Sequence, residues 1–360
     1  MRKNEKAEIT ENNCTFFSVC LFEQNNLYLI TDMSFIPVNY DIESDKVKCL
    51  VPYNSLEDLT GASPEIIVKK NETIISVKNN GKSIIVIDIA KKEYKEIPIN
   101  ASFKPYDNFA LVTLYGNNLF CFCRTDSKVI VFDTTSFEIR EIMIPQICEG
   151  GYRTGICEEN TVYLFPISGN SYLEFDMDDC TYSTKYLSET ITKIVHVQKD
   201  GENIFVLDWY GYIRIFNTTS GTIYTSVKVG GEAEYGIILI TKERLMILPN
   251  QGEKILMSNT NLKCVTEFND YPKDFKYDDI VGENKSKFIY PCEDEETYYF
   301  APRKANYILK IRKSTKFEYE WIKTPKIVNR IFAQKDIDNK SVVYEDDNCS
   351  LYNLIDYMRV

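Results

Sequence analysis

Apolar residues in this chain fall in short runs separated by polar turn residues. The clearest are Asn26-Leu27-Tyr28-Leu29-Ile30, Asn118-Leu119-Phe120-Cys121-Phe122, Asn160-Thr161-Val162-Tyr163-Leu164-Phe165 and Asn203-Ile204-Phe205-Val206-Leu207. Each is a turn residue followed by β-branched or aromatic residues, the composition of a buried strand. Weaker copies start near Thr73, Arg244, Thr297 and Ser341. With Leu27, Ile74, Leu119, Val162, Ile204, Leu245, Tyr298 and Val342 as equivalent positions, the repeat recurs roughly every 41 to 53 residues, the period of propeller blades.

A second strand follows each anchor after a polar turn. Examples are Ser83 to Asp88, Lys128 to Asp133, Tyr172 to Asp176 and Tyr212 to Asn217, each ending in Asp or Asn. A further apolar run precedes the anchor, as in Phe109 to Leu114 or Gly236 to Ile240, and a fourth follows the Asp or Asn turn, as in Glu138 to Ile142. Each repeat therefore reads as one antiparallel sheet of four strands. Such a sheet alone leaves both faces in water, so neighbours must stack, and closing the ring removes the unprotected ends. The predicted fold is all-β, a single propeller domain over residues 1–360.

The stretch Tyr210-Gly211-Tyr212-Ile213-Arg214-Ile215-Phe216-Asn217-Thr218-Thr219-Ser220-Gly221 resembles the third strand and turn of WD40-type repeats, and Ser127 to Ser136 is a looser copy. The Gly-His dipeptide and Trp-Asp pair of that family are absent, so the resemblance implies propeller architecture rather than WD40 membership. Kelch-like and quinoprotein-like propellers remain open. Seven blades is the preferred count, with eight and then six as alternatives. The last repeat, from Ile327, shows two strand-like runs and then Leu351, Leu354, Ile355 and Met358 at helical spacing, which predicts a short capping helix. The alternative is an eighth blade completed by N-terminal residues.

Charge and chemistry narrow the function. A net charge of -11 disfavours nucleic acid and anionic membranes as partners. No stretch has the ~18 uninterrupted apolar residues of a membrane span. The N-terminus has no apolar run behind its basic residues, so a cytoplasmic location is expected. The eleven cysteines fall singly, mostly in strand-like segments, without a CxxC, and read as reduced core thiols. Cys121 and Cys123 share one face of a strand.

The one histidine, His196, lies in a strand pattern and reads as structural, which disfavours a histidine-based hydrolase. Acidic clusters at Asp176 to Asp179, Glu293 to Glu296 and Glu345 to Asp347 sit at hairpin turns and lack the spacing of a calcium loop. There is no phosphate-cradling glycine motif, and no cofactor or metal is expected.

The glycine pairs Gly150-Gly151 and Gly230-Gly231 precede first strands, where a propeller chain crosses from one blade's outer edge to the next blade's channel side. The turn between second and third strands opens on the same rim. That rim is predicted to collect Tyr152, Arg153, Glu232 and Tyr235 from crossovers, and Arg124, Trp209, Tyr210 and Arg303 from turns. Aromatics beside arginines suit a polar or anionic ligand, a sugar or a peptide. The first expectation is thus a non-catalytic binding module for a protein segment or small polar ligand. The alternatives are a carbohydrate-active hydrolase or lyase at the channel mouth, using acids such as Glu232 and Glu234, and a structural scaffold.

Overall fold

The computed structural model describes residues 17–31, 37–44, 46–51, 64–78, 83–99, 109–147, 150–241, 244–250, 254–275, 288, 291–301, 306–314 and 317–323. They form seven four-stranded antiparallel sheets, each built from four consecutive strands. Blades 1 to 7 run in chain order, their first strands beginning at Phe17, Pro64, Phe109, Tyr152, Ile194, Tyr235 and Cys292 and their fourth strands ending at Cys49, Pro98, Met143, Ile191, Lys228, Phe268 and Lys323. Blade 3 comprises Phe109–Tyr115, Asn118–Cys123, Lys128–Asp133 and Ile139–Met143, and blade 5 comprises Ile194–Asp200, Asn203–Asp208, Tyr212–Asn217 and Ile223–Lys228. The anchors from Leu27 to Tyr298 all occupy second strands. First strands of successive blades lie side by side from blade 1 to blade 6, blades 6 and 7 share a core, and the first strand of blade 1 lies beside that of blade 7, so the ring closes with seven blades. The eighth repeat from Ile327 and the C-terminal helix pattern lie outside the described residues.

The sequence pattern explains the stacking. Second and third strands are buried on both faces, which requires continuous apolar runs rather than alternation. In the second strand of blade 3, Leu119, Cys121 and Cys123 enter the core shared with blade 2, while Phe120 and Phe122 enter the core shared with blade 4. Phe122 meets Phe175 of blade 4 edge-on at 5.2 Å between ring centroids. The two thiols thus share one face as expected, and burial raises the Cys121 thiol well above its ordinary value. Fourth strands line the outside and alternate, as in Ile223–Lys228, where every second residue is exposed. At the join of the ring, Tyr299 and Ile308 of blade 7 enter the same core as Leu27 and Leu29 of blade 1, and Phe22 stacks on Tyr299 at 4.0 Å.

The repeated Asp or Asn has a defined task at one end of the ring. In blades 1 to 6 the side chain of Asp41, Asp88, Asp133, Asp176, Asn217 or Asn259 accepts backbone N–H groups two to four residues onward and closes the turn between third and fourth strands. In blades 1 to 5 the turn between first and second strands joins it, for example through the Thr134 N–H donating to the Asn117 carbonyl at 2.8 Å.

The longest step in the repeat, between blades 6 and 7, contains an added segment. Asn269 to Phe275 lies along blade 7, where the Trp321 indole N–H donates to the Asp270 carbonyl at 3.0 Å and Tyr319 donates to the Asp270 carboxylate at 2.7 Å. Lys323 and Tyr307 bind Asp274 and hold its carboxyl down to about 2.

Candidate functional site

The opposite end of the ring, where crossovers and second-to-third turns meet, is tied by backbone hydrogen bonds running from blade to blade. The Tyr152 N–H donates to the Arg124 carbonyl at 2.7 Å, the Ile194 N–H to the Ile167 carbonyl at 2.8 Å and the Trp209 N–H to the Lys193 carbonyl at 2.8 Å. The Ala233 N–H donates to the Trp209 carbonyl and the Asn250 N–H to the Glu234 carbonyl, each at 2.8 Å. Turns of blades 3 to 6 thereby alternate with crossovers along one belt. Gly151 sits in it with φ +69, and an added Cβ would collide with the Arg124 carbonyl, so both conformation and space require glycine there.

The belt brings together the predicted residues from blades 3 to 6 at different depths. Tyr152 is 1% exposed, joins the core between blades 3 and 4, and donates its hydroxyl to the Pro145 carbonyl at 2.5 Å. Tyr235, 4% exposed, packs with Phe205 and Ile213, and burial together with the neighbouring Glu234 carboxylate raises its phenol above the ordinary value. Both tyrosines support the rim from beneath. Arg153 and Glu232 are exposed, and Arg124, Trp209 and Tyr210 are half-buried. Arg303 lies outside the described residues.

A β-bulge explains why Arg153 reaches outward while its neighbours do not. The pairing of the first and second strands shifts between Tyr152 and Thr154, which both remain buried, so Arg153 is the extra residue and is turned out of the packing. Equivalent shifts place Ala110, Val195 and Gly236 at this position in blades 3, 5 and 6. Among blades 3 to 6, blade 4 alone puts a charge at the bulge.

Blade 5 carries the most constructed part of the rim. Asp208, 1% exposed at the end of the second strand, accepts the Tyr210 and Tyr212 N–H groups on Oδ1 at 3.0 and 2.9 Å and pairs through Oδ2 with the Arg214 guanidinium. This fixes the Trp209-Tyr210-Gly211 turn, whose Trp209 backbone is held by neighbouring crossovers on both sides. The Lys193 ammonium stands 5.1 Å from the Tyr210 ring centre, and Lys228 and Arg214 stand 5.6 and 5.1 Å from that of Tyr212. Sequence reasoning found Trp209 and Tyr210 but missed Asp208, Lys193, Tyr212, Arg214 and Lys228. The one available signal was an Asp three residues before a Gly at a strand end, a turn signature.

The other candidates have structural tasks. Glu234 accepts the Gly231 N–H at 2.7 Å and braces the crossover turn, while Glu232 is exposed. His196, 9% exposed, accepts the Ile238 N–H on Nδ1 at 3.3 Å between blades 5 and 6, and burial pushes its pKa down to about 4. Asp176 caps its own turn through the N–H groups of Asp178 and Asp179. Among the described residues no group of three or more His, Cys, Asp or Glu side chains is arranged to hold a metal ion.

No family model matches the chain and no curated protein matches it. Solved structures do resemble it. YCF48 bound to D1 peptide superposes with a TM-score of 0.60 at 9% identity, covering 84% of this chain and 95% of that one. BamB from Moraxella catarrhalis gives 0.53 at 10% identity, covering 81% and 82%. The computationally designed Ika8 protein gives 0.53 at 9% identity, covering 87% and 98%. At such identities the likeness shows the propeller fold and nothing finer, and the count of seven blades comes from this chain's own sheets.

Proposed function

We propose that this chain is a non-catalytic interaction propeller that holds a protein segment on the rim of blades 3 to 6. The observation that carries this reading is the blade 5 turn, where a buried carboxylate and bonds from two crossovers immobilise the backbone while Trp209 and Tyr210 remain half-exposed. Rigid aromatic side chains at a preorganised surface lose little entropy on binding and are the residues that dominate protein interfaces. Arg153 extends the surface on blade 4 and Glu232 on blade 6, with Tyr152 and Tyr235 as supports beneath. The likeness to YCF48, which is bound to a peptide, adds support at the level of the fold. The carbohydrate-enzyme alternative is less favoured because Glu234 is spent on the backbone of its own turn.

Thermal unfolding of the full chain against sugars, nucleotides, divalent cations and short unstructured peptides tests the reading, since a ligand of the folded state raises the midpoint. A peptide is expected to raise it, and Trp209→Ala or Tyr210→Ala to abolish the rise. A rise with a sugar accompanied by turnover, or a peptide effect that survives both substitutions, would overturn it.

A further inference from the structure

Among the described residues the rim of blades 4 and 5 holds cations that no carboxylate pairs, in a chain with more acids than bases. The protein carries 53 Asp and Glu against 42 Lys and Arg, and several lysines are paired, as Lys69 is with Glu23 and Lys199 with Glu158, while Lys95 stands over the Phe137 ring. Arg153, Lys193 and Lys228 make no ion pair among the described residues. The two lysines flank the blade 5 turn, Lys193 from the preceding crossover and Lys228 from the outer strand. Each is drawn over a tyrosine, so the positive charge stands beside aromatic surface. The nearby acids are largely committed, Asp208 to Arg214 and Glu234 to the Gly231 N–H, which leaves Glu232 as the exposed carboxylate of the adjoining crossover.

We propose that this corner recognises an acidic protein segment, extended across the turn, whose carboxylates reach Lys193 and Lys228 and whose apolar or aromatic side chain covers Trp209. The proposal rests on the rim-binding reading and adds the chemistry of the partner. Charge complementarity favours an acidic peptide over a phosphate polymer for two reasons. At the blade 5 turn the Arg214 fork, the geometry suited to phosphate, is already engaged by Asp208, and the two lysines there are point charges that donate to carboxylates without fixed geometry. The net charge of -11 repels a dense polyanion more strongly than a short acidic segment.

The test uses fluorescence anisotropy of the full chain with a labelled peptide of alternating glutamate and phenylalanine, beside counterparts carrying glutamine or lysine in place of glutamate. The glutamate peptide is expected to bind most tightly and to weaken as salt rises. Lys193→Glu combined with Lys228→Glu should lower its affinity about tenfold or more, with the unfolding midpoint unchanged because both side chains are exposed. Equal binding of the glutamine peptide would overturn the acidic preference and leave rim binding standing, whereas an affinity untouched by the charge reversal would overturn the assignment to this corner. Tighter binding of a single-stranded oligonucleotide of equal charge would overturn the assignment to a peptide. If no peptide of any charge binds, both readings fail together.

Discussion

The two ends of the ring solve their backbone problems in opposite ways. At one end, six blades repeat a single device, an Asp or Asn closing the turn after the third strand. At the other end the bulge recurs, but among the described residues the side chains set on it differ: blade 4 has a charged bulge, blade 5 a buried carboxylate under an aromatic turn, and blade 6 a glutamate bracing its crossover. A local device can be copied because it needs only its own few residues. A rim that must meet something outside the protein gains from individual solutions, and its residues depend on partners in neighbouring blades. Repetition therefore marks scaffold and divergence marks the surface available for recognition.

The largest effect that would sharpen this contrast comes from Asp208→Ala. It leaves the Arg214 charge and two N–H groups without their buried acceptor and is expected to cost about 4 kcal/mol, read by chemical denaturation. A loss no greater than that of a turn substitution at the repeated end would break the comparison.

A pH titration of stability separates the two ends further. His196 is depressed from 6.5 to about 4, so its stabilising contribution is complete above pH 6.5 and is lost as pH falls to about 4, because the unfolded chain takes up the proton first. The loss amounts to about 3 kcal/mol across that window. His196→Gln should flatten it. The turn-closing Asp88 and Asp133 are lowered below 3.8, Asp88 mainly by the Lys91 ammonium and Asp133 by backbone N–H groups, so their contribution persists to lower pH and disappears only as those values are crossed. A single loss centred below pH 4, identical in His196→Gln, would refute the assignment.

The smallest effect belongs to one copy of the repeated device. Asn217 accepts the Thr219 and Ser220 N–H groups at 3.0 and 3.1 Å in an exposed turn, and Asn217→Ala is expected to cost about 1 kcal/mol in the same denaturation assay. Asn217→Asp keeps the turn acceptor used by four other blades but replaces the Asn217 Nδ2–H donor to the Glu202 carboxylate, at 3.1 Å, with a like charge, so it should recover only part of the loss, and more of it as salt rises.

Legibility in the sequence follows the same division. The blades could be read because their central strands are apolar on both faces and end in a turn residue that recurs. Leu27, Leu119 and Ile204 announce second strands, and Asp133 and Asn217 announce turns, without reference to anything distant. The rim was legible only as a list of crossover and turn residues. Tyr152 and Arg153 are adjacent in sequence, yet a bulge sends one into the core and the other into solvent. Asp208 has no counterpart in the repeat, since Cys123 and Pro166 end the equivalent strands of blades 3 and 4. The approach of Lys193 to Tyr210 depends on a crossover meeting a turn, a contact that strand periodicity does not encode.

Among the described residues every sheet is completed by its own stretch of chain, and the join between blades 7 and 1 is made by side-chain contacts such as Phe22 against Tyr299. In mechanical terms, tension across that seam is carried by stacked rings and aliphatic surfaces, which separate gradually, and not by a ladder of hydrogen bonds that must shear together. That seam is the softer kind of junction, whereas the backbone bonds along the rim bind blades 3 to 6 into a stiffer arc.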